Sequence, residues 1–366
     1  METQEHISQI SLSRRHKAVL KLSQKLFPAE DVTTLSEEQI SQINKKPITG
    51  HSLRSRLFKR TDKTVEHDTF IIPVENGALT GYFFKPRKTS RSQISSLKPL
   101  IIFYHGGGWV FGNMNIYRLV CSRLASLTNA AVLAVDYRLA PGHKFPTAVE
   151  DCYEAFLWAS HGVRYWKIDP ERIYVMGDSA GGNLAAVVTR LARDRKGPPI
   201  AGQILVYPVT DGRMKTSSYD EYRDSPTLTQ KEMQFYIKSY QREPKDILNP
   251  QFSPLLSKDH SRLPPALIIA AGWDPLKDDA RLYGEALQSA DTPVKYLECE
   301  QALHGYFLYP EAPGCDESES AIMQFISGRS LDSVALITKK EMERHIRDER
   351  RKLRKVNKNY VSVEGT

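Results

Sequence analysis

The chain has 366 residues, 40% hydrophobic and 26% charged, the balance of a soluble folded protein with a sizeable core rather than of a disordered chain. Its net charge of +8 is carried at the ends: residues 1–67 hold 12 Lys and Arg against 8 Asp and Glu, and residues 331–366 hold 10 against 6. Residues 68–330 hold 29 of each, which excludes a nucleic-acid-binding surface on the core.

The longest apolar runs, 99–104 and 265–271, fall far short of the roughly 18 residues of a membrane helix. Met1–His6 carries two acids and no apolar stretch, which argues against a secretory signal. Cys121, Cys152, Cys299 and Cys315 are scattered without metal-site spacing and read as reduced thiols. Together these features predict a cytoplasmic protein with no metal site.

In chain order, Leu12, Val19, Leu20, Leu22, Leu26 and Phe27 recur near helical spacing until Pro28, and Ser36-Glu37-Glu38-Gln39 opens a second short helix as a capping box. Around Asn76-Gly77 the period switches to two, predicting a hairpin of Thr69–Val74 and Leu79–Lys85. Strands and helices then alternate. Strands are predicted at Leu100–Tyr104, Ala131–Asp136, Arg172–Met176, Gln203–Tyr207, Ala266–Ala271 and Val294–Cys299. Helices fall at Tyr117–Leu127, Pro146–Ser160, Asn183–Arg193 and Asp278–Ser289. This order predicts an α/β fold with a mainly parallel sheet flanked by helices and begun by an antiparallel hairpin. The alternation fails between 211 and 264, a polar stretch that carries Tyr219, Tyr222, Phe235, Tyr236 and Tyr240 and reads as an inserted helical piece. Lys339–Lys358 is a charged helical run in a basic C-terminal extension, 331–366, whose partner is unknown.

Gly177-Asp178-Ser179-Ala180-Gly181 follows a strand and opens a helix. The two glycines permit a sharp turn that projects the serine hydroxyl, while the helix N-terminus aims free amides at the same spot. His105-Gly106-Gly107-Gly108-Trp109 follows the first core strand, and its glycines let backbone amides converge on a developing oxyanion. His105 precedes these glycines and reads as a loop-shaping residue. A nucleophilic serine needs a base, and the base needs an orienting group. After Ser179 only His260, His304 and His345 remain. His304 follows the last strand, where a loop can fold back over the serine. Asp274 ends the preceding strand, whereas Asp278 and Asp279 read as the acidic first turn of a helix.

These motifs, with Asp136-Tyr137-Arg138-Leu139-Ala140-Pro141, Ser253-Pro254-Leu255 and Asp274-Pro275-Leu276, resemble the hormone-sensitive-lipase-like branch of the α/β-hydrolase superfamily over roughly residues 70–328. The resemblance implies an α/β-hydrolase catalytic domain over 68–330. It also implies a helical cap built from the N-terminal segment 1–67 and the insertion at about 211–264. It assigns Ser179 as nucleophile, Asp274 as acid and His304 as base, with an oxyanion hole of Gly106, Gly107, Gly108 and Ala180, in which Gly106 completes the turn. Asp178 would support neighbouring loops. The chain departs from the family pattern at Gly142 and at Gln301-Ala302-Leu303.

The expected reaction is hydrolysis of short- to medium-chain acyl esters, small-molecule substrates, without cofactor. Trp109 and Phe111 are the candidate pocket residues. Deacetylation or amide hydrolysis by the same three residues, and a non-catalytic small-molecule-binding module, are the competing readings.

Overall fold

The computed structural model describes residues 12–26, 31–45, 61–87 and 97–328. The basic extension 331–366 and its helical run lie outside the described residues, as do Phe27 and Pro28. One eight-stranded sheet has the order β1-β2-β4-β3-β5-β6-β7-β8. Its strands are β1 (Val65–Val74), β2 (Gly77–Pro86), β3 (Lys98–Tyr104), β4 (Ala131–Asp136), β5 (Ile168–Asp178), β6 (Gly202–Val206), β7 (Ala266–Trp273) and β8 (Val294–Leu303). Only β2 runs against its neighbours. The hairpin turns at Asn76, whose φ of 59° suits a short polar side chain. β1 begins at Val65, ahead of the expected domain start at 68.

The parallel strands need crossovers, and these supply the flanking helices. They are α3 (Met114–Thr128), α4 (Thr147–Trp166), α5 (Ala180–Asp194) and α8 (Lys277–Gln288), with α9 (Cys315–Ser327) after the last strand. Because strand side chains alternate, β3 divides its residues between two cores. Leu100, Ile102 and Tyr104 enter the layer with α4, α5 and α8. Ile101 and Phe103 enter the layer with α3 and α9. Both faces of β3 are buried, which is why it reads as a continuous apolar run.

Two separated stretches sit above the C-terminal strand ends. The first contains α1 (Arg14–Leu26) and α2 (Glu37–Lys45). The second, from the insertion, contains α6 (Ser217–Glu221) and α7 (Gln230–Tyr240). α7 starts on a full capping box between Thr229 and Glu232. They meet where Lys231 pairs with Asp31 at 2.9 Å, and Asn44 of α2 donates to the Val110 carbonyl of the glycine loop at 2.7 Å. No helix among the described residues is long and apolar enough to cross a membrane.

Candidate active site

β5 ends in a sharp turn into α5. Ser179 takes φ 55° and ψ −120°, a conformation that costs an L residue roughly 1–3 kcal/mol. The surrounding structure holds it there: the Ser179 amide donates to the Val206 carbonyl at 2.8 Å, and α5 begins at the next residue. Gly177 is required because a β-carbon there would lie 2.2 Å from the Gly181 carbonyl oxygen.

The hydroxyl meets an imidazole from the far side of the sheet. His304 Nε2 is 3.0 Å from Ser179 Oγ, and His304 Nδ1 is 2.6 Å from Asp274 Oδ2. Asp274 is fully buried, and its other oxygen accepts the Leu276 amide at 2.9 Å. With Nδ1–H donating its hydrogen bond to the carboxylate, Nε2 is left as the acceptor facing the hydroxyl. Such a line can withdraw the serine proton as the oxygen attacks a carbonyl carbon.

Asp278 and Asp279 do not join this line. They stand in the first turn of α8, but each also ties down the insertion. Asp278 accepts from the Ser217 hydroxyl and the Ser218 amide, and Asp279 accepts from the amides of Thr210 and Asp211. His260 lies away from the serine, edge-on to Tyr283, and His345 is outside the described residues.

The glycine loop is held from beneath by Asp178. One carboxylate oxygen accepts the Gly106 amide at 2.9 Å, and the other accepts the Tyr117 hydroxyl at 3.0 Å. Burial raises the Asp178 carboxyl to about 6, against the lowering effect of these two bonds. Gly106 is thereby fixed in the turn rather than free to donate to an oxyanion: its single N–H is committed to Asp178 and Tyr117. Gly107 and Gly108 adopt φ of +112° and +63°, which turns successive amides in a way that residues with side chains rarely allow.

His105 is wholly buried. Its Nδ1 donates to the Gly106 carbonyl, and its ring stacks on Tyr137 at 4.3 Å. Burial lowers its pKa to about 4, so it remains neutral as a loop-shaping residue.

Trp109, a candidate pocket residue, is enclosed under the cap. It has no exposed surface and stacks on Tyr240 of α7 at 4.6 Å, with Phe252 alongside. An indole this large gains more from burial between rings than from facing an open cleft. Phe111 is half-buried and packs edge-on against Tyr236 of α7 at 6.2 Å. Tyr236, Asn44 and Tyr207, whose ring is 4.7 Å from that of His304, border the site without a local sequence signal. Each arrives by a contact distant in the chain. Among the described residues no cluster of three His, Cys, Asp or Glu could hold a metal ion.

The comparisons agree with this architecture. The α/β hydrolase fold family matches residues 101–308. A carboxylic ester hydrolase, LipN of Mycobacterium tuberculosis, is 39% identical over 253 residues, covering 66% of this chain and 67% of that protein. An arylesterase of Saccharolobus solfataricus is 35% identical over 212 residues, covering 58% of this chain and 69% of the arylesterase. The aligned region thus spans about two thirds of each relative. A solved esterase of Pyrobaculum calidifontis superposes with a TM-score of 0.73 at 33% identity, covering 84% of this chain and 98% of the esterase. The chain belongs to the α/β hydrolase fold family, in its hormone-sensitive-lipase-like esterase branch.

Proposed function

We propose that this chain is a serine carboxylesterase acting on small-molecule acyl esters of short to medium chain length. The Ser179–His304–Asp274 line, at 3.0 and 2.6 Å, is the observation that supports it most. In this reading His304 takes the Ser179 proton as Oγ attacks the ester carbonyl, and Asp274 keeps the imidazole in the right tautomer. The amides of Gly107, Gly108 and Ala180 hold the oxyanion. The alcohol leaves with the proton from His304, and water then hydrolyses the acyl-enzyme through the same groups.

The names of the relatives favour ester over amide bonds. A hydrogen-bonded Ser–His–Asp line is something a binding-only module would not need. Support for a short acyl group comes from Tyr236, whose ring presses on Gly108 and leaves little height over the glycine loop.

The domain division belongs to the same proposal. Residues 1–67 and about 211–264 form the cap, 68–330 the catalytic unit, and 331–366 an extension. So does a cytoplasmic location, which the four buried free cysteines support.

The test is hydrolysis of p-nitrophenyl esters from acetate to palmitate by the native chain and by Ser179→Ala. Turnover that peaks at a short or medium chain and vanishes in the variant is expected. Equal turnover in the variant would overturn the nucleophile, and a peak at palmitate would overturn the chain-length reading.

A further inference from the structure

α1 reaches the site through one buried side chain. His16 is 2% exposed. Its Nδ1 accepts from the Ser13 amide at 3.1 Å and lies 2.8 Å from the Ser13 hydroxyl. The ring proton therefore sits on Nε2, which donates to the Gln301 carbonyl at 2.6 Å. The same ring lies 5.2 Å from the indole of Trp273.

Both contacts fall next to the reacting groups. Gln301 stands three residues before His304, and Trp273 immediately precedes Asp274. Here the β7–β8 ladder is irregular: the register shifts between Ala271 and Trp273 before Trp273 pairs with Leu303. Among the described residues β8 is also the edge of the sheet, with a neighbouring strand on one side only. The end of β8, which carries the base, is therefore held by a ladder on one side, and that ladder to β7, which carries the acid, is the irregular one. His16 supplies a bond to one and a ring contact to the other. A small cavity of about 20 Å³, lined by His16, Val19, Thr227 and His304 among others, places α1 against the loop of the base.

We propose that His16 is a positioning residue for the acid–base pair, fixing the ends of β7 and β8 so that Asp274, His304 and Ser179 stay in line. α1 is then part of the catalytic framework rather than only a roof. The inference rests on the serine hydrolase reading above.

The test compares His16→Ala, His16→Gln and His16→Phe in the full chain, measuring kcat and KM on p-nitrophenyl butyrate together with the melting temperature. His16→Ala should lower kcat by up to about 100-fold, the scale of a small misplacement of reacting groups, with KM little changed. Gln carries an amide donor that can reach the same carbonyl and should restore most of kcat. Phe keeps the ring against Trp273 without a donor and should not.

Native kcat in His16→Ala would overturn the proposal, and so would rescue by Phe but not by Gln, which would mark packing alone. If His16→Ala fails to fold, the Gln and Phe pair decides. Failure of the underlying reading would look different, because Ser179→Ala would then retain the activity of the native chain.

Discussion

The ring of Tyr236 occupies the space that a β-carbon on Gly108 would need, with its Cγ 2.3 Å from that position. The neighbouring glycine is hemmed in more rigidly, since a β-carbon on Gly107 would lie 2.1 Å from the Phe111 carbonyl oxygen. A backbone oxygen cannot step aside as a side chain can. Gly107→Ala should therefore lower kcat by about 10²–10³, the cost of losing an oxyanion donor. Gly108→Ala should cost less, and Tyr236→Ala should recover part of that loss. The comparison is kcat for the three variants on one short ester. An unimpaired Gly107→Ala would remove that amide from the donor set.

Asp274→Asn should leave the fold intact and reduce kcat by about 10⁴, because the imidazole loses its orienting carboxylate and favours the wrong tautomer. Asp278→Asn is the control. Its carboxylate accepts from Ser217 and Ser218, so its loss should loosen the insertion with little change in turnover. The opposite order of effects would transfer the acid role to Asp278.

Asp279 gives the protein a stability that depends on pH. Burial, reinforced by the nearby Asp211 and Asp274, raises its carboxyl from 3.8 to about 8, against the lowering effect of the Thr210 and Asp211 amides. Between these values the native state holds a proton that the unfolded chain has released, so stability falls as pH rises. The contribution is complete below about pH 4 and lost once pH passes about 8. Asp279→Asn carries no such proton. Its melting temperature should decline less than that of the native chain between pH 5 and 9, measured by calorimetry in matched buffers. Parallel declines would refute the assignment.

Arg123 of α3 and Glu319 of α9 pair at 2.5 Å, with side chains 19% and 4% exposed. Removing one partner strands the other, so Glu319→Ala should destabilise the fold by roughly 3–5 kcal/mol in urea unfolding. Replacing both, as Arg123→Met with Glu319→Leu, should recover most of that loss. If the double variant is no better than the single one, the penalty lies in packing rather than in an unpaired charge.

Local patterns carried the sheet and the reacting trio. Each parallel strand is a short apolar run, and Ser179, Asp274 and His304 each sit at a strand end, where order along the chain limits the choices. Features set by tertiary contact were silent. α9 has no clean apolar stripe in the sequence, because its inward residues include Ser318, Glu319 and Gln324, and Glu319 finds its partner, Arg123, 196 residues away. The partners that engage the Gly106 amide, Asp178 and Tyr117, lie 72 and 11 residues away and leave no local mark. No local pattern separates a pocket role for Trp109 from packing under the cap, because Tyr240, which covers it, stands on α7. Nothing local marks His16, since its acceptor is 285 residues distant.

The clamp of Asp178 on Gly106 has a consequence for how such an enzyme can diversify. β3 and β5 are adjacent strands, and the carboxylate that leaves one to grip the other sits beside the serine itself. The spacing between nucleophile and glycine loop is thus measured across a single interstrand gap, without passing through helix, insertion or N-terminal segment. Structural variation above the sheet can reshape what enters the cleft while the distance at which bonds are made stays the same. Variation in the insertion bears on recognition, while the sheet itself keeps the spacing of nucleophile and glycine loop.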